Sequence, residues 1–170
     1  MDGLRRFAES NGKFRYCACM RWRLASSDFS GTDPQERGRL FQELVRSPVA
    51  VGILAYQGDD PVGWCSVAPT ATYLAIERSR NITRSNQEGA WSVVCFFLEP
   101  RVRSAGLQKL LLDAAINYAR DEGAQILDAF PWPGGPSYRY MGTRELYLSR
   151  GFEDISVAEG KRPRMSLNLT

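Results

Sequence analysis

The fold is decided by residues 91–123, whose sequence is WSVVCFFLEPRVRSAGLQKLLLDAAINYARDEG. The first part, from Trp91 to Leu98, is almost entirely β-branched, aromatic or aliphatic and has no helical period, so it predicts a strand that is covered on both faces. Pro100 ends this strand because proline has no N–H group for a sheet hydrogen bond. Apolar residues then return at spacings of three and four up to Gly123, which predicts an amphipathic helix with a glycine stop. A buried strand that leads through a short turn into a helix is therefore the centre of the predicted fold.

The turn between this strand and this helix has the character of an anion-binding loop. A helix start leaves several backbone N–H groups without intrahelical acceptors, and these groups lie at the positive end of the helix dipole. Arg101, Arg103 and Lys109 add positive charge around them. These features predict a site for a phosphate or pyrophosphate group. The alternative is an ordinary strand-to-helix turn with solvated arginines.

A short motif inside the turn resembles a known signature. The motif is Arg103-Ser104-Ala105-Gly106-Leu107-Gln108. It resembles the acetyl-CoA signature of the GNAT superfamily of N-acetyltransferases, Q/R-x-x-G-x-G/A, which also follows a hydrophobic strand. The chain contains neither the G-x-G-x-x-G dinucleotide fingerprint nor a Walker lysine motif here. It departs from the family pattern at Gln108, where a larger side chain could crowd a pyrophosphate or donate an amide N–H to it, and we expect a tolerated variant.

A second motif downstream resembles the signature of the last helix in the same superfamily. It is the run Leu146-Tyr147-Leu148-Ser149-Arg150-Gly151-Phe152, in which an apolar residue and a tyrosine are followed, after three further positions, by Gly-Phe. The two motifs occur in the family order, and the resemblance covers about residues 49–169, with a poor match before them. It implies an α+β fold of the three-layer α/β GNAT type. The central sheet would be mixed and mostly antiparallel, with about six or seven strands, flanking helices and a splayed pair of parallel strands.

The resemblance also implies the activity and the cofactor. Members of the superfamily transfer an acetyl group from acetyl-CoA, the co-substrate, to an amine. The expected acceptor is a primary amine of a small molecule or peptide that attacks the thioester directly. The residues implied to bind the coenzyme are Phe96, Phe97, Leu98, Arg103, Ser104, Ala105, Gly106, Leu107 and Gln108. In this set the turn would hold the pyrophosphate, and the edge of residues 96–98 would pair with the pantetheine arm.

Acetyl transfer requires an acid for the departing thiolate and a base for the amine. Tyr147 is implied as the acid, because a phenol is neutral at neutral pH and can give up its proton as the thiolate forms. Packing of this tyrosine over the strands is the alternative. Asp128, Glu99 and Glu77 are candidate bases, and a water chain that ends in solvent is another. Asp128 is an ionisable residue inside an apolar run, so it is either paired with a neighbour or tuned for proton transfer.

Two functions of other classes stay open at this point. A non-catalytic CoA-binding or interaction module of the same fold is motivated by Gln108 and by the lack of an assignable base. An RNA-binding factor rests only on scattered arginines and aromatic residues. Thiol release from acetyl-CoA in the presence of amines separates the enzyme from the module.

Length and composition narrow the class of protein. A chain of 170 residues and 19.1 kDa predicts one acetyltransferase-like domain, residues 1–170, around a single core. A net charge of +3, with basic residues scattered among acidic ones, argues against nucleic acid as a partner. The chain has no apolar run long enough to span a bilayer and no signal-peptide core, so we expect a cytoplasmic protein that does not contact a membrane. The expected partner is the amine acceptor, and a homodimer is compatible with these features.

Histidine and cysteine usage excludes several kinds of chemistry. The chain has no histidine, which removes every Ser-His-Asp or Cys-His nucleophile arrangement. Its four cysteines lack the paired spacing of a zinc site, so we expect no metal. Reduced, mostly buried thiols are the expected state of these cysteines.

Hydrophobic patterning predicts further elements outside the two motifs. The alternation of residues from Phe14 to Leu24 predicts the first strand. Asp33 as a cap and Pro34 at the first helical position predict a helix that ends before Ser47. The other predicted elements are two hairpin strands at 49–56 and 62–68, a strand at 126–130, a helix at 141–150 and a last strand at 164–169.

Three segments without family motifs are expected to wall the acceptor site. They are 26–32, 73–89 and 132–140, all of which are predicted to contain loops. Solvated surface with no role is the alternative for each of them. The sequence does not identify the acceptor itself.

Overall fold

The computed structural model describes residues 2–83, 85, 87–103, 106–132, 140–156 and 161–170. The described residues form a six-stranded sheet with helices on both faces. Its strands are β1 (Ile53–Gln57), β2 (Asp60–Pro69), β3 (Ala90–Leu98), β4 (Ile126–Ala129), β5 (Glu153–Asp154) and β6 (Met165–Asn168). The strand order is β1-β2-β3-β4-β6-β5, and among these strands only β3 and β4 run parallel. This arrangement confirms the predicted mixed, mostly antiparallel sheet with a parallel pair.

Helices precede the sheet and connect its strands. They are α1 (Asp2–Ser10), α2 (Gly12–Cys17), α3 (Met20–Arg23), α4 (Ser26–Gly31), α5 (Pro34–Arg46), α6 (Leu74–Glu77), α7 (Leu107–Asp121) and α8 (Arg144–Leu148). Short 3-10 turns cover Thr70–Thr72 and Pro100–Val102. Among the described residues, none of the helices has the length and apolar character needed to cross a membrane.

The helix α7 covers one face of the sheet. Its buried residues are Leu111, Leu112, Ala115, Ile116 and Ala119, at the spacing that defines one helical face. They share a hydrophobic cluster with Phe96 of β3, Leu127 of β4 and Tyr147 of α8. Leu112 has no exposed surface, and full burial of a leucine side chain contributes about 2 kcal/mol. The predicted strand–turn–helix unit is therefore confirmed.

The N-terminal helices cover the opposite face with an aromatic cluster. The Phe14 ring centre lies 6.1 Å from the ring centres of both Phe41 and Trp64. It lies 5.6 Å from the ring centre of Phe97, edge to face. Because Phe97 points into this cluster while Phe96 packs under α7, β3 is buried on both faces, as predicted.

The predicted hairpin is confirmed with different bounds. A two-residue turn that begins with Gly58 (φ +59°) joins β1 to β2. The first strand begins at Ile53 rather than at Val49. Gly52 has a φ of +148°, and a Cβ built there would lie 2.2 Å from the Cys65 carbonyl oxygen. Regular pairing begins only after this close approach of two backbones.

Several other predicted elements are also confirmed. Oδ1 of Asp33 accepts a hydrogen bond from the Glu36 N–H at 2.9 Å, and Pro34 occupies the first helical position of α5. This helix ends at Arg46, one residue before Ser47. The elements predicted at 126–130, 141–150 and 164–169 are β4, α8 and β6, each shorter than predicted.

The strand predicted from Phe14 to Leu24 is wrong. Helices α2 and α3 occupy this segment, joined by Ala18 and Cys19 in the left-handed conformation (φ 44° and 54°). Phe14 and Ala18 are buried four positions apart, whereas Tyr16, which a strand would place beside Phe14, is 58% exposed. A period-two pattern over so few residues also fits one buried helical face, because positions i and i+4 coincide in both periods.

Candidate active site

The parallel strands β3 and β4 separate after a short paired stretch. Pairing runs from Ala90 opposite Ile126 to Val93 opposite Ala129, where β4 ends. β3 continues to Leu98. Among the described residues no strand pairs with residues 94–98 on this side, so their edge borders an opening between β3 and β4.

A β-bulge lies where the opening begins. Ser66 of β2 is opposite Cys95 of β3, but the next residue of β2 is opposite Val93, so Val94 is an extra residue in β3. As a result Val94 and Cys95 pack against the same hydrophobic cluster, whereas Val93 and Phe96 face α7. A bulge bends and twists its strand. The bend thus coincides with the point at which β3 leaves β4.

The start of α7 lies beside this opening. Gly106 precedes the helix with a φ of +71°, a conformation that favours glycine, and a Cβ built there would meet nothing within 4 Å. Arg103 Nε donates a hydrogen bond to the Leu98 carbonyl oxygen at 3.1 Å, which ties the turn to the end of β3. The predicted coenzyme-binding residues Ser104 and Ala105 lie outside the described residues.

The three cations predicted for the turn are not equivalent. Arg101 Nε lies 2.7 Å from a Glu99 oxygen, so its charge is compensated. Arg103 and Lys109 are exposed, and neither has a carboxylate within salt-bridge distance among the described residues. Gln108 is half-buried in the first turn of α7. The positive charge that is not compensated by a carboxylate among the described residues therefore comes from Arg103 and Lys109, and not from Arg101.

Tyr147 is fully buried, and its hydroxyl group is hydrogen-bonded. The hydroxyl donates to the Met141 carbonyl oxygen at 2.8 Å, and the ring packs edge to face on Phe152. A Cβ on Gly142 (φ +75°) would lie 2.9 Å from this hydroxyl, so the close approach requires glycine. Burial raises the pKa of Tyr147 well above its ordinary value, and the nearby thiols, including that of Cys95 on β3, add to the shift. The phenol therefore stays protonated far above neutral pH.

An ion pair and a helix cap hold α8 in place. Arg150 contacts Asp113 of α7 through two bonds, Nε to Oδ1 at 2.5 Å and Nη2 to Oδ2 at 3.1 Å. Thr143 Oγ1 accepts a hydrogen bond from the Leu146 N–H at the start of α8. The tyrosine is thus fixed relative to α7 by a two-point contact.

Asp128 lies at the closed end of the opening and forms an ion pair. It is opposite Ser92 of β3, one residue before the last pair of the two parallel strands. Its side chain has no exposed surface, and Oδ2 lies 2.9 Å from Arg164 Nη2. Burial raises the pKa of Asp128 although Arg164 acts in the opposite direction. Oδ1 has no hydrogen-bond partner among the described residues. The sequence left two alternatives for Asp128, pairing with a neighbour or tuning for proton transfer, and the structure shows the pairing.

The other candidate bases are placed differently. Glu99 follows β3 directly, and its oxygens lie 2.7 Å from Arg101 Nε and 3.4 Å from the Asn11 amide nitrogen. Glu77 is half-buried at the last residue of α6. One side of β3 is thus surrounded by residues 96–98, Gly106 and Tyr147. Each of the three candidate bases already has another contact, and none of them lies at the centre of the opening.

Three residues at the opening lie outside the two motifs, and of these only Tyr140 belongs to a segment predicted to wall the acceptor site. Tyr140 stacks on Phe97 with ring centres 5.9 Å apart and planes at 13°. Met141 contacts Tyr147 through its carbonyl group, and its sulfur lies 3.0 Å from Arg162 Nη1. Arg162 reads in the sequence only as part of a basic turn before the last strand. No local spacing links it to the two motifs, so only the tertiary structure reveals this contact.

Solved structures with the same fold include acetyltransferases. A GNAT-family protein from Desulfovibrio desulfuricans, described as an acetyltransferase, has a TM-score of 0.58 at 19% identity over 81% of this chain and 82% of that chain. The PaiA N-acetyltransferase from Thermoplasma acidophilum, solved in complex with coenzyme A, has a TM-score of 0.58 at 14% identity over 98% and 93%. The ribosomal-protein-alanine N-acetyltransferase from Brucella melitensis has a TM-score of 0.53 at 17% identity over 81% and 79%. At these identities the likeness shows the fold.

The sequence comparison identifies the family. No curated protein sequence matches the chain. The model of the Acetyltransferase (GNAT) family matches residues 20–152. This span contains the opening between β3 and β4, the glycine-led start of α7 and the buried tyrosine of α8. The chain therefore belongs to the acetyltransferase (GNAT) family.

Proposed function

We propose that the protein is an acetyl-CoA-dependent N-acetyltransferase that transfers the acetyl group to a primary amine of a small molecule or peptide by direct attack. The opening between β3 and β4, directly beside the glycine-led start of α7, is the observation that carries this proposal. It offers an unpaired strand edge and a helix N-terminus side by side. The coenzyme A complex of the Thermoplasma acidophilum neighbour supports the same kind of cofactor for this fold.

The coenzyme would bind through both features of the opening. The pyrophosphate would lie at the start of α7, close to the N–H groups that follow Gly106 and to the charges of Arg103 and Lys109. The pantetheine arm would pair with the open edge of residues 96–98 as an added strand. A backbone N–H near Phe97 or Leu98 would then polarise the thioester carbonyl.

Tyr147 would act as the acid. When the amine attacks, the carbon–nitrogen bond forms, the carbon–sulfur bond breaks and the sulfur leaves as a thiolate. The phenolic proton would pass to this thiolate after the hydroxyl group turns away from the Met141 carbonyl oxygen. Burial raises the pKa of Tyr147, so the phenol is protonated at neutral pH, although the same shift makes it a weaker acid towards the thiolate.

The amine would lose its proton by one of two routes, either to a carboxylate (Asp128, Glu99 or Glu77) or to a water chain. Asp128 has the raised pKa and the buried place that suit a base, but Arg164 holds its carboxylate. Glu99 is held by Arg101 in the same manner. A water chain from the amine to solvent is the second route. Once both reactants are oriented, direct attack needs no covalent acetyl-enzyme.

The test is thiol release from acetyl-CoA with a panel of peptides, polyamines, amino acids and aminoglycosides. We expect release of coenzyme A in equal amount to the acetylated amine found by mass spectrometry. Coenzyme binding without turnover on any amine would instead favour the non-catalytic module. The hydrogen bond of Tyr147 and the ion pair of Asp128 are the observations that favour this alternative, because both groups already have partners.

A further inference from the structure

Arg162 lies between two tryptophan rings. Its guanidinium carbon is 5.4 Å from the ring centre of Trp22 and 4.9 Å from that of Trp132. Trp132 is 37% exposed, so the arrangement reaches the surface. Aromatic faces stack on the plane of a guanidinium group and leave its N–H edge for a planar anion.

A second arginine adds positive charge to this place. Arg21 is the chain neighbour of Trp22, whose ring Arg162 covers, so its positive charge lies on the same part of the molecule. Burial lowers the pKa of Arg162, and the charge of Arg21 adds to this effect. Neither arginine has a carboxylate within salt-bridge distance in the described part of the chain. Two neighbouring like charges without a counter-charge are unfavourable, and an anion between them removes the penalty.

Residues from all three predicted walls of the acceptor site meet at these two arginines. Arg21 lies over the Phe29 ring at 5.6 Å, in the segment 26–32. The backbone N–H of Arg162 donates to the Asn81 carbonyl oxygen at 2.9 Å, in the segment 73–89. Trp132 belongs to the third segment. The pair therefore lies where the walls of an acceptor pocket converge.

The pair is also connected to the proposed reaction centre. Met141 contacts Arg162 through its sulfur and accepts the Tyr147 hydrogen bond through its carbonyl oxygen. Its neighbour Tyr140 stacks on Phe97 at the open edge of β3. One residue thus separates the guanidinium group of Arg162 from the proposed acid.

We infer that Arg162, assisted by Arg21, binds a carboxylate group of the acceptor, so that the acceptor is an amino-acid-like molecule or a peptide with a free carboxylate. A planar carboxylate accepts two parallel N–H bonds from one guanidinium edge. The aromatic rings hold that edge in place. That the bound molecule is the acceptor depends on the proposed function, whereas the anion site at Arg162 does not.

The first test is a binding measurement that needs no turnover. N-acetyl amino acids and the corresponding N-acetyl amino acid amides are titrated into the protein, with tryptophan fluorescence as the signal. We expect the acids to bind at least about tenfold more tightly than their amides. Arg162→Met removes this preference and Arg162→Lys keeps part of it. Arg46→Met, which removes an equally positive but exposed side chain at the end of α5, keeps all of it.

Controls make each outcome decisive. Unchanged melting temperature and unchanged affinity for coenzyme A show that the Arg162→Met protein is folded. The inference is overturned if no acid binds more tightly than its amide, or if the preference survives in Arg162→Met. It is also overturned if inorganic phosphate competes more strongly than every carboxylate, because the site is then a phosphate site. Selective binding of acids without thiol release on any amine would keep the anion site and reject the transferase. Thiol release that is equal for free amino acids and their amides would keep the transferase and reject the binding of the acceptor carboxylate by Arg162.

Discussion

The two sides of the candidate site are built in different ways. The coenzyme side consists of the open edge of residues 96–98, Gly106 and Tyr147, and it relies largely on backbone groups. The acceptor side consists of Arg21, Arg162 and the aromatic rings around them, and it relies on side chains. A backbone site needs special conformations, such as a positive φ, that few residues adopt. A side-chain site needs only the right chemical group at the right place.

This difference explains which side has a recognisable motif. Gly106 and Gly151 have positive φ angles of 71° and 81°, which favour glycine, so local geometry fixes their residue type. The proposed acceptor side joins residues from positions 21, 29, 81, 132 and 162, and no fixed spacing links them. The proposed coenzyme side therefore carries the local motifs that resemble the family, and the proposed acceptor side carries none.

The largest expected effect is confined to the coenzyme side. Gly106→Glu places a side chain and a negative charge in the open space before α7, where phosphate oxygens would approach. We expect the affinity for acetyl-CoA, measured by calorimetry, to fall by about a thousandfold or more, since charge repulsion and backbone strain act together.

A matched control for this change is Gly58→Glu in the β1–β2 turn. Gly58 also has a positive φ and open space for a Cβ, so it suffers the same strain away from α7. We expect its coenzyme affinity to match the wild type. Unchanged affinity in a folded Gly106→Glu protein would mean that the anion site of the coenzyme lies elsewhere.

The next effect concerns Tyr147, where the two sides meet. Tyr147→Phe should lower kcat about a hundredfold, the usual scale for loss of a general acid, with little change in coenzyme affinity. Because burial raises the pKa of Tyr147, its acid form persists as the pH rises. The wild-type pH–rate profile should therefore have no basic limb from this residue below about pH 10.

Tyr73→Phe serves as the control, since Tyr73 is equally buried and its hydroxyl lies 3.1 Å from the Ser66 hydroxyl oxygen. Both variants should lose about 1 kcal/mol of unfolding free energy, but only Tyr147→Phe should lose kcat. Retention of kcat in Tyr147→Phe, with chemistry shown to be rate-limiting, would reduce Tyr147 to a packing residue.

A stability measurement tests the closed end of the opening. Arg164→Met should lower the unfolding free energy at neutral pH by about 3 kcal/mol, because it leaves the buried Asp128 carboxylate without its ionic partner. The raised pKa of Asp128 means that its protonated form favours the folded state. The loss should therefore shrink as the pH falls, and Asp128→Asn in the same background should restore stability.

The comparison variant is Arg144→Met, which breaks the exposed pair with Asp154. That loss should stay below about 1 kcal/mol, measured by urea denaturation. Equal losses of unfolding free energy in Arg164→Met and Arg144→Met would contradict the expectation that removal of Arg164 leaves a buried, uncompensated carboxylate at Asp128. A fall in kcat of Asp128→Asn, with stability preserved, would instead support this residue as the base.

The smallest expected effect lies on the acceptor side. Arg21 is exposed, so Arg21→Met should reduce the preference for acids over amides only a few-fold, while Arg162→Met removes it. Raising the salt concentration should weaken the contribution of Arg21 more than that of Arg162, since exposed charges are screened more strongly. An equal loss for both variants would mean that the two arginines contribute alike.

The sequence predicted the parts of the fold that depend on local rules. The buried strand β3, the capped helix α5 and the stripe of α7 follow from apolar period and from capping residues at Asp33 and Gly106. The same rules failed for residues 14–24, where a short alternating pattern fits a strand and a pair of helical turns equally well. Burial of Phe14 against Trp64 and Phe97 selected the helices.

The sequence by itself determined the family, the strand–turn–helix unit and the place of the glycine-led helix start, because each of these is encoded within a few neighbouring residues. Only the tertiary structure decided where β3 leaves β4, since the bulge at Val94 is a property of pairing with β2. It also decided the partner of Asp128, the burial of the Tyr147 hydroxyl and the stacking of Arg162 on Trp22 and Trp132. Contacts between residues far apart in the sequence, such as Asp128 with Arg164 or Trp22 with Arg162, leave no local pattern, because chain folding alone brings them together.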